Sequence, residues 1–189
     1  IMNYFRNLSL TNKSIRLVTA LLFVMAHSAN AQRKQVSITI DDVPNVEIYK
    51  KQGFSSGLLQ QITMQGIPVA IFINEQRLEA NGFTKQNREG LSKWLADKNI
   101  TAGNHGYQHL NYGDITFEAF QEEVIKGEVV TAQILKHPPK YFRFPFNGLG
   151  KDSAAHANAK DFLQRRGYIL TPFTIEGQDW VFSGLYDEA

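Results

Sequence analysis

The chain has 189 residues, of which 43% are hydrophobic and 20% are charged, and these proportions are ordinary for a single globular domain with a buried core. The first 31 positions hold three basic and no acidic residues, and the rest holds 17 basic and 18 acidic ones. Nothing therefore indicates the basic surface of a nucleic-acid-binding protein. Cysteine is absent, which excludes a thiol nucleophile, a cysteine zinc site and a lipid-modified cysteine.

The N-terminal stretch has the pattern of a secretory signal peptide. Its three basic residues flank or precede an apolar segment at 17–26 (LVTALLFVMA), and a cleavage signal of the A-x-A type follows at 29–31. The apolar segment is too short to span a bilayer, although an N-terminal anchor that is never cleaved is the alternative. We therefore predict a signal peptide at 1–31 and a mature protein at 32–189. That protein would be periplasmic or secreted, with no membrane contact after cleavage.

In the rest of the chain, short apolar runs alternate with amphipathic stretches. The apolar, β-branched runs predict strands at 35–41, 69–74, 100–104, 141–144 and 168–174. The stretches between them predict helices at 57–65, 84–98, 116–135 and 152–166. A βα repeat of this kind implies a parallel sheet or barrel with right-handed crossovers.

Polar motifs occupy equivalent places in this repeat, where strands end. They are Asp41-Asp42, Asn104-His105, the run RFP at 143–145, and Asp179-Trp180. Ligands of parallel α/β folds bind at the carboxyl ends of the strands, so four motifs in equivalent places indicate one shared site.

His105, His109 and the carboxylates of Asp41 and Asp42 are candidate metal-site residues. Two imidazoles and one carboxylate match a catalytic zinc site, which keeps one position for water, and the second carboxylate could act as the base on that water. The histidine spacing suits either one face of a helix or a tight loop. Neighbouring strand side chains face opposite ways, so both aspartates serve one site only if the backbone turns. Taken alone, the aspartates also fit a solvated loop start, and the histidines fit an ordinary polar loop.

Two further residues have less specific surroundings. Arg143, at the end of a strand, could pair with a site carboxylate and keep it ionised, but a surface arginine beside core aromatics fits the same pattern. Trp180 taken alone fits a buried core residue.

In this order, four segments resemble the motifs of the polysaccharide deacetylases, the family 4 carbohydrate esterases with a NodB homology domain. They are 39–42 (TIDD), 105–109 (HGYQH), 143–146 (RFPF) and 176–180 (EGQDW), which are similar to Thr-Phe-Asp-Asp, His-Ser/Thr-x-x-His, Arg-x-Pro-Tyr and Asp-x-x-Asp-Trp. The resemblance implies that 32–189 is a NodB-type domain with an α/β fold, the irregular (β/α) barrel. It also implies hydrolysis of acetyl groups on an amino-sugar polysaccharide, such as peptidoglycan or a chitin-like chain, with this glycan as the partner.

The resemblance further implies a role for each matched residue. Asp42, His105 and His109 bind a divalent metal, for which zinc is best suited, while cobalt, nickel and iron fit the same ligands. Asp41 is the general base for the metal-bound water, and Arg143 holds Asp41 in place.

Four more residues are assigned to the site in the same way. The backbone N–H of Phe146 helps to stabilise the oxyanion, and Phe146 lies with Tyr107 and Trp180 in the substrate pocket. Trp180 surrounds the acetyl methyl group, and Asp179 belongs to the catalytic set.

The chain departs from the family pattern at Val43, Gly106, Phe146 and Glu176, where Gly, Ser or Thr, Tyr and Asp are usual. No histidine follows His156, so the Leu-x-Leu-His motif that supplies the family's general acid is missing. We expect that the sequence is incomplete at its C-terminus. The alternatives to an incomplete sequence are a natural variant with another general acid and a degenerate, non-catalytic relative. The alternatives to the implied function are a non-catalytic carbohydrate-binding relative and an exported deacylase that acts on a non-sugar substrate. The sequence gives no indication of an oligomeric state.

Overall fold

The computed structural model of the chain describes residues 35–44 and 57–177. Five strands form one parallel sheet in the order β1-β2-β3-β4-β5. Their bounds are β1 Ile38–Val43, β2 Val69–Ile73, β3 Ile100–Asn104, β4 Tyr141–Phe142 and β5 Ile169–Leu170. Each strand lies beside its predecessor in the chain, which is the order in which a (β/α) barrel is wound. The predicted parallel α/β architecture is confirmed.

Five α-helices and two 3₁₀ helices connect or follow these strands in the described ranges. The α-helices are α1 Gly57–Met64, α2 Thr84–Leu95, α3 Phe117–Lys126, α4 Val129–Leu135 and α5 Ser153–Arg165, and the 3₁₀ helices are Glu75–Gly82 and Pro145–Asn147. Side-chain caps begin two of them, since Thr116 accepts from the backbone N–H of α3 and Asp152 from that of α5. Within the described part of the chain, none of the helices has the length and apolar character that crossing a membrane requires.

The helix predicted at 116–135 is in fact two helices, α3 and α4, with a break at Gly127. A Cβ atom at Gly127 would lie 2.9 Å from the carbonyl carbon of Gly106, so the end of α3 approaches the loop after β3 closely. The new start at α4 is capped from another element, because the buried Glu75 carboxylate accepts from the N–H groups of Val130 (2.8 Å) and Thr131 (2.6 Å). The capping group comes from a distant part of the chain, so helical periodicity alone does not reveal the break.

Two apolar cores hold the strands in place. The first contains the fully buried Ile71 and Ile73 of β2 with Leu91 of α2. The second is aromatic, and in it Phe120 of α3 packs edge to face on Phe142 of β4, with ring centroids 5.8 Å apart. Closely packed cores of this kind resist deformation, so the carboxyl ends of the strands form a rigid frame for the polar residues that follow them.

Candidate functional site

The backbone turns at Asp42, which lets two adjacent aspartates face the same side. Strand β1 runs through both residues, but its register against β2 shifts between Ile40 and Val43, and Asp42 has a left-handed φ of 59°. As a result, Asp41 Oδ2 lies 3.9 Å from His105 Nε2. A bulge inside the strand, rather than the end of the strand, provides the turn that two adjacent aspartates need if both are to face one site.

The two histidines lie in the loop between β3 and α3, and not on a helix. The His105 ring is buried, and its Nδ1 lies 2.9 Å from the backbone carbonyl oxygen of Arg143. A carbonyl can only accept, so Nδ1 carries the proton and Nε2 presents its lone pair. The His109 ring lies 4.9 Å from the His105 ring, and its Nε2 is 3.1 Å from Asp42 Oδ1.

Asp42, His105 and His109 together form a cluster suited to a metal ion. Each offers one ligand atom, and these atoms all lie within 4.8 Å of one another. Asp42 Oδ1 is inaccessible to solvent and has no well-aligned hydrogen bond from any described residue. Burial lowers the pKa of His105 to about 4 and also lowers the pKa of His109, so both rings favour the neutral form that binds metals. The three donors therefore fit a divalent cation with tetrahedral preferences.

Arg143 connects the second carboxylate to the sheet. Its side chain is buried, and Nη1 donates to Asp41 Oδ1 at 2.7 Å and to Thr39 Oγ1 at 2.8 Å. Nε donates to the carbonyl oxygen of Thr171 at 2.8 Å, and the guanidinium lies 4.2 Å from the centroid of the Phe72 ring. The predicted pairing of Arg143 with a site carboxylate is present, and the surface alternative is wrong.

Two influences act in opposite directions on the pKa of the Asp41 carboxyl group. Burial raises its pKa above the usual range, and this effect outweighs the opposing influence of the Arg143 guanidinium. Asp42 also has a cationic neighbour that the sequence did not reveal, because Arg77 Nη1 donates to its carbonyl oxygen at 2.9 Å and Nη2 lies 3.3 Å from Oδ1. The two aspartates thus each lie beside one arginine.

The remaining predicted residues fall into three groups. The Phe146 ring lies 4.4 Å from the His109 ring and is 69% exposed, with a left-handed backbone φ of 56°. Tyr107 donates its hydroxyl to Glu79 at 3.2 Å. Asp179 and Trp180 lie outside the described residues, as does the predicted signal peptide.

Two buried asparagines, which were not among the predicted site residues, hold the start of the histidine loop. Asn74 Nδ2 donates to the carbonyl oxygens of His105 (2.6 Å) and Gly106 (3.2 Å). Asn104 Oδ1 accepts from the N–H of Gly106 at 2.8 Å. Both asparagines directly end apolar strands, and an amide in that place is the signal that could have identified them.

Gly106 stands where the family pattern has Ser or Thr, and the structure gives a reason. Its φ is +74°, and a Cβ atom there would lie 3.2 Å from Glu123 Oε2. We expect Gly106→Ala to lower the free energy of unfolding by about 1 kcal/mol and to weaken binding of Co²⁺, as measured by urea unfolding and calorimetry.

Gly66→Ala is the matched control for this substitution. Gly66 also has a positive φ, +66°, but an added Cβ would meet nothing within 4 Å. It should therefore lose a similar amount of stability while keeping the Co²⁺ affinity of the parent protein. Equal Co²⁺ affinities in both variants would show that the space beside Gly106 is irrelevant to the site.

The family model for polysaccharide deacetylase matches residues 28–164, which is more than half of the chain. The chain belongs to the polysaccharide deacetylase family. The peptidoglycan-N-acetylglucosamine deacetylase of Bacillus cereus is 20% identical to this family member over 158 residues, covering 84% of this chain and 50% of the relative. The chain therefore spans about half the length of the curated relative that it matches.

Solved structures of family 4 carbohydrate esterases share the fold. The chitin deacetylase of the fungal pathogen Colletotrichum lindemuthianum has a TM-score of 0.60 at 21% identity, covering 76% of this chain and 57% of that one. A pseudoenzyme of the family from Bacillus anthracis has a TM-score of 0.59 at 16% identity, covering 79% of this chain and 46% of that one. At these identities the likeness establishes the fold alone, and this fold occurs both in a chitin deacetylase and in a pseudoenzyme.

Proposed function

We propose that this polysaccharide deacetylase family member is a metal-dependent hydrolase that removes acetyl groups from an amino-sugar polysaccharide of the peptidoglycan or chitin type. The observation that carries the proposal is the cluster of Asp42, His105 and His109 beside a second carboxylate, Asp41, that is held by Arg143. Residues 1–31 are predicted to be a signal peptide, and export by this segment would bring the protein to such a substrate.

Asp42, His105 and His109 would hold the cation, which we expect to be zinc, with cobalt, nickel and iron as alternatives for the same ligands. When bound, the cation would supply a Lewis acid that polarises the acetyl carbonyl and makes water in the site more acidic. The fixed tautomer of His105 supports this assignment. Its Nδ1–H donates to the carbonyl oxygen of Arg143, so the lone pair of Nε2 is available to bind a metal.

Asp41 would accept the proton of the attacking water on Oδ2. Its other oxygen, Oδ1, is occupied by the Arg143 guanidinium, which fixes the direction of the carboxyl group. Oδ2 faces the side of His105 Nε2 without being within hydrogen-bond distance of it. A base in this orientation can take a proton from water that attacks the carbonyl carbon.

Phe146 would contribute on the substrate side. Its backbone N–H is the candidate oxyanion donor, and its exposed ring beside His109 offers an apolar face to a sugar. Tyr107 and Trp180 would complete the pocket, and Asp179 would belong to the catalytic set; for Asp179 and Trp180 these roles rest on the resemblance of 176–180 to the fourth family motif.

The proposal predicts that acetate release requires a metal. Protein treated with a chelator should lose acetate release from N-acetylglucosamine oligomers and from an aryl acetate, and added Zn²⁺ or Co²⁺ should restore it. The aryl acetate is included because a phenolate leaves without being protonated, so turnover in that assay does not require a general acid. Acetate release and metal content are measured in the same samples.

Three results would contradict the proposal in different ways. Full activity of metal-free protein would exclude the metal-dependent reaction. Glycan binding without acetate release by the metal-loaded protein would favour a non-catalytic carbohydrate-binding protein. Acetate release only from acetylated compounds that are not sugars would favour the deacylase alternative.

A further inference from the structure

The backbone between the two histidines is held by a buried carboxylate that the proposed reaction does not use. Glu123, on α3, is 7% exposed, and its Oε2 accepts from the N–H of Gln108 at 2.8 Å. Its own carbonyl oxygen accepts from the N–H of Tyr107 at 3.1 Å. Glu123 therefore accepts hydrogen bonds from the two consecutive residues directly before His109.

These contacts complete the hydrogen bonding of the loop. His105 donates its N–H to Ile73 and Gly106 donates its N–H to Asn104, and the Asn74 amide donates to the carbonyl oxygens of both. The carbonyl oxygen of the next loop residue, 107, also accepts from a backbone N–H. Every backbone polar group from the N–H of residue 105 to the N–H of residue 108 thus has a partner, and a side-chain carboxylate satisfies the last of them.

The two candidate histidine ligands depend on different supports. His105 directly follows β3, and its N–H and carbonyl are bound by the end of β2. His109 lies four residues farther along with a left-handed φ of 65°, so its position depends on the backbone at Gln108. Glu123 is the side chain that holds that backbone.

We propose that Glu123 is a positioning residue for the candidate metal centre, where it fixes the backbone before His109 and thereby sets the affinity of the site for a divalent cation. The inference rests on the proposed metal-dependent function. Glu123 does not contact the reacting atoms in this proposal; it acts through Gln108 on His109. Groups that hydrogen-bond to a ligating side chain typically change metal affinity about 10- to 100-fold when removed, and we expect an effect of that order for Glu123.

The test compares Co²⁺ binding by the parent protein and by Glu123→Ala. Co²⁺ alone is titrated by calorimetry and by visible absorption, which reports the coordination geometry. We expect Glu123→Ala to bind Co²⁺ about 10- to 100-fold more weakly, with an altered spectrum. Amide hydrogen exchange at Gln108, followed without metal, should become faster in the same variant.

The neighbouring glutamate provides a matched control. Glu122 carries the same charge one position earlier, is 68% exposed, and pairs with Lys126 at 2.9 Å. Glu122→Ala should keep the Co²⁺ affinity and spectrum of the parent protein. If Glu123→Ala does not fold, as judged by circular dichroism, Glu123→Gln is used instead, because it retains one acceptor oxygen and should show a smaller loss in the same direction.

The possible outcomes separate this inference from the proposed function. A folded Glu123 variant with the parent Co²⁺ affinity and unchanged exchange at Gln108 would overturn the inference alone. An equal loss in Glu122→Ala would also overturn it, because the effect would then be one of net charge. Failure of the parent protein to bind Co²⁺ would overturn the proposed function and the inference together.

Discussion

Asp41→Asn should lower turnover about 100- to 10,000-fold, since the amide keeps the shape of the side chain but cannot accept the proton of the attacking water. The Arg143 guanidinium can still donate to the remaining amide oxygen, so the local structure should persist. Because Asp41 is not among the three clustered ligands, Co²⁺ binding should also persist. Acetate release from the aryl acetate and Co²⁺ titration of the same preparation measure the two effects.

Asp161→Asn makes the same chemical change away from the site. Asp161 lies on α5, is 59% exposed, and pairs with Arg165 one helical turn along. This variant should turn over like the parent protein. If Asp41→Asn keeps a rate within a few-fold of the Asp161 variant, Asp41 is not the base.

His105→Ala should abolish metal binding at working concentrations, with a loss of Co²⁺ affinity greater than about 100-fold. That bound follows because changes to groups that merely orient a ligand already weaken binding by up to about 100-fold, and here a ligand itself is removed. Turnover should fall in parallel, and excess metal should not restore it. Calorimetric titration with Co²⁺ and Zn²⁺ gives the affinities directly.

A second site variant and a control distinguish loss of a metal ligand from loss of the fold. The His105 ring is buried, so its removal leaves a cavity and an unpaired carbonyl at Arg143. His109→Ala removes a ring that is 16% exposed, and it should lose metal with less effect on the unfolding temperature. His137→Ala, at an exposed position after α4, should behave like the parent protein. Metal binding by both site variants at the parent affinity would exclude this cluster as the centre.

Much of this site could be predicted because its residues lie at strand ends. The run of β2 is continuously apolar and that of β3 begins with an apolar residue, so both strands could be predicted and topology places the residues that follow them. His105 directly follows β3 and Asp41 lies near the carboxyl end of β1, so the parallel order of the strands brings them to the same edge of the sheet. The identity of the side chains then favoured metal binding and proton transfer as the chemistry to propose.

Other features depend on contacts between distant parts of the chain, and local patterns do not encode them. Glu122 and Glu123 are adjacent glutamates on one helix, yet one is solvated and the other is buried against a loop. The left-handed backbone at Asp42 likewise follows from a shift in register against β2. Arg77 approaches Asp42 from a 3₁₀ helix that the pattern of apolar residues did not indicate.

The multiple bonds of Arg143 bear on how loss of turnover could be recognised within this family. The same guanidinium group joins β1 to the segment that follows β5 and also orients Asp41. A family member without hydrolytic activity would still need an arginine here to keep these strands together. Retention of Arg143 is therefore weak evidence of an active enzyme, whereas replacement of Asp41, the base in the proposed reaction, would be the informative change.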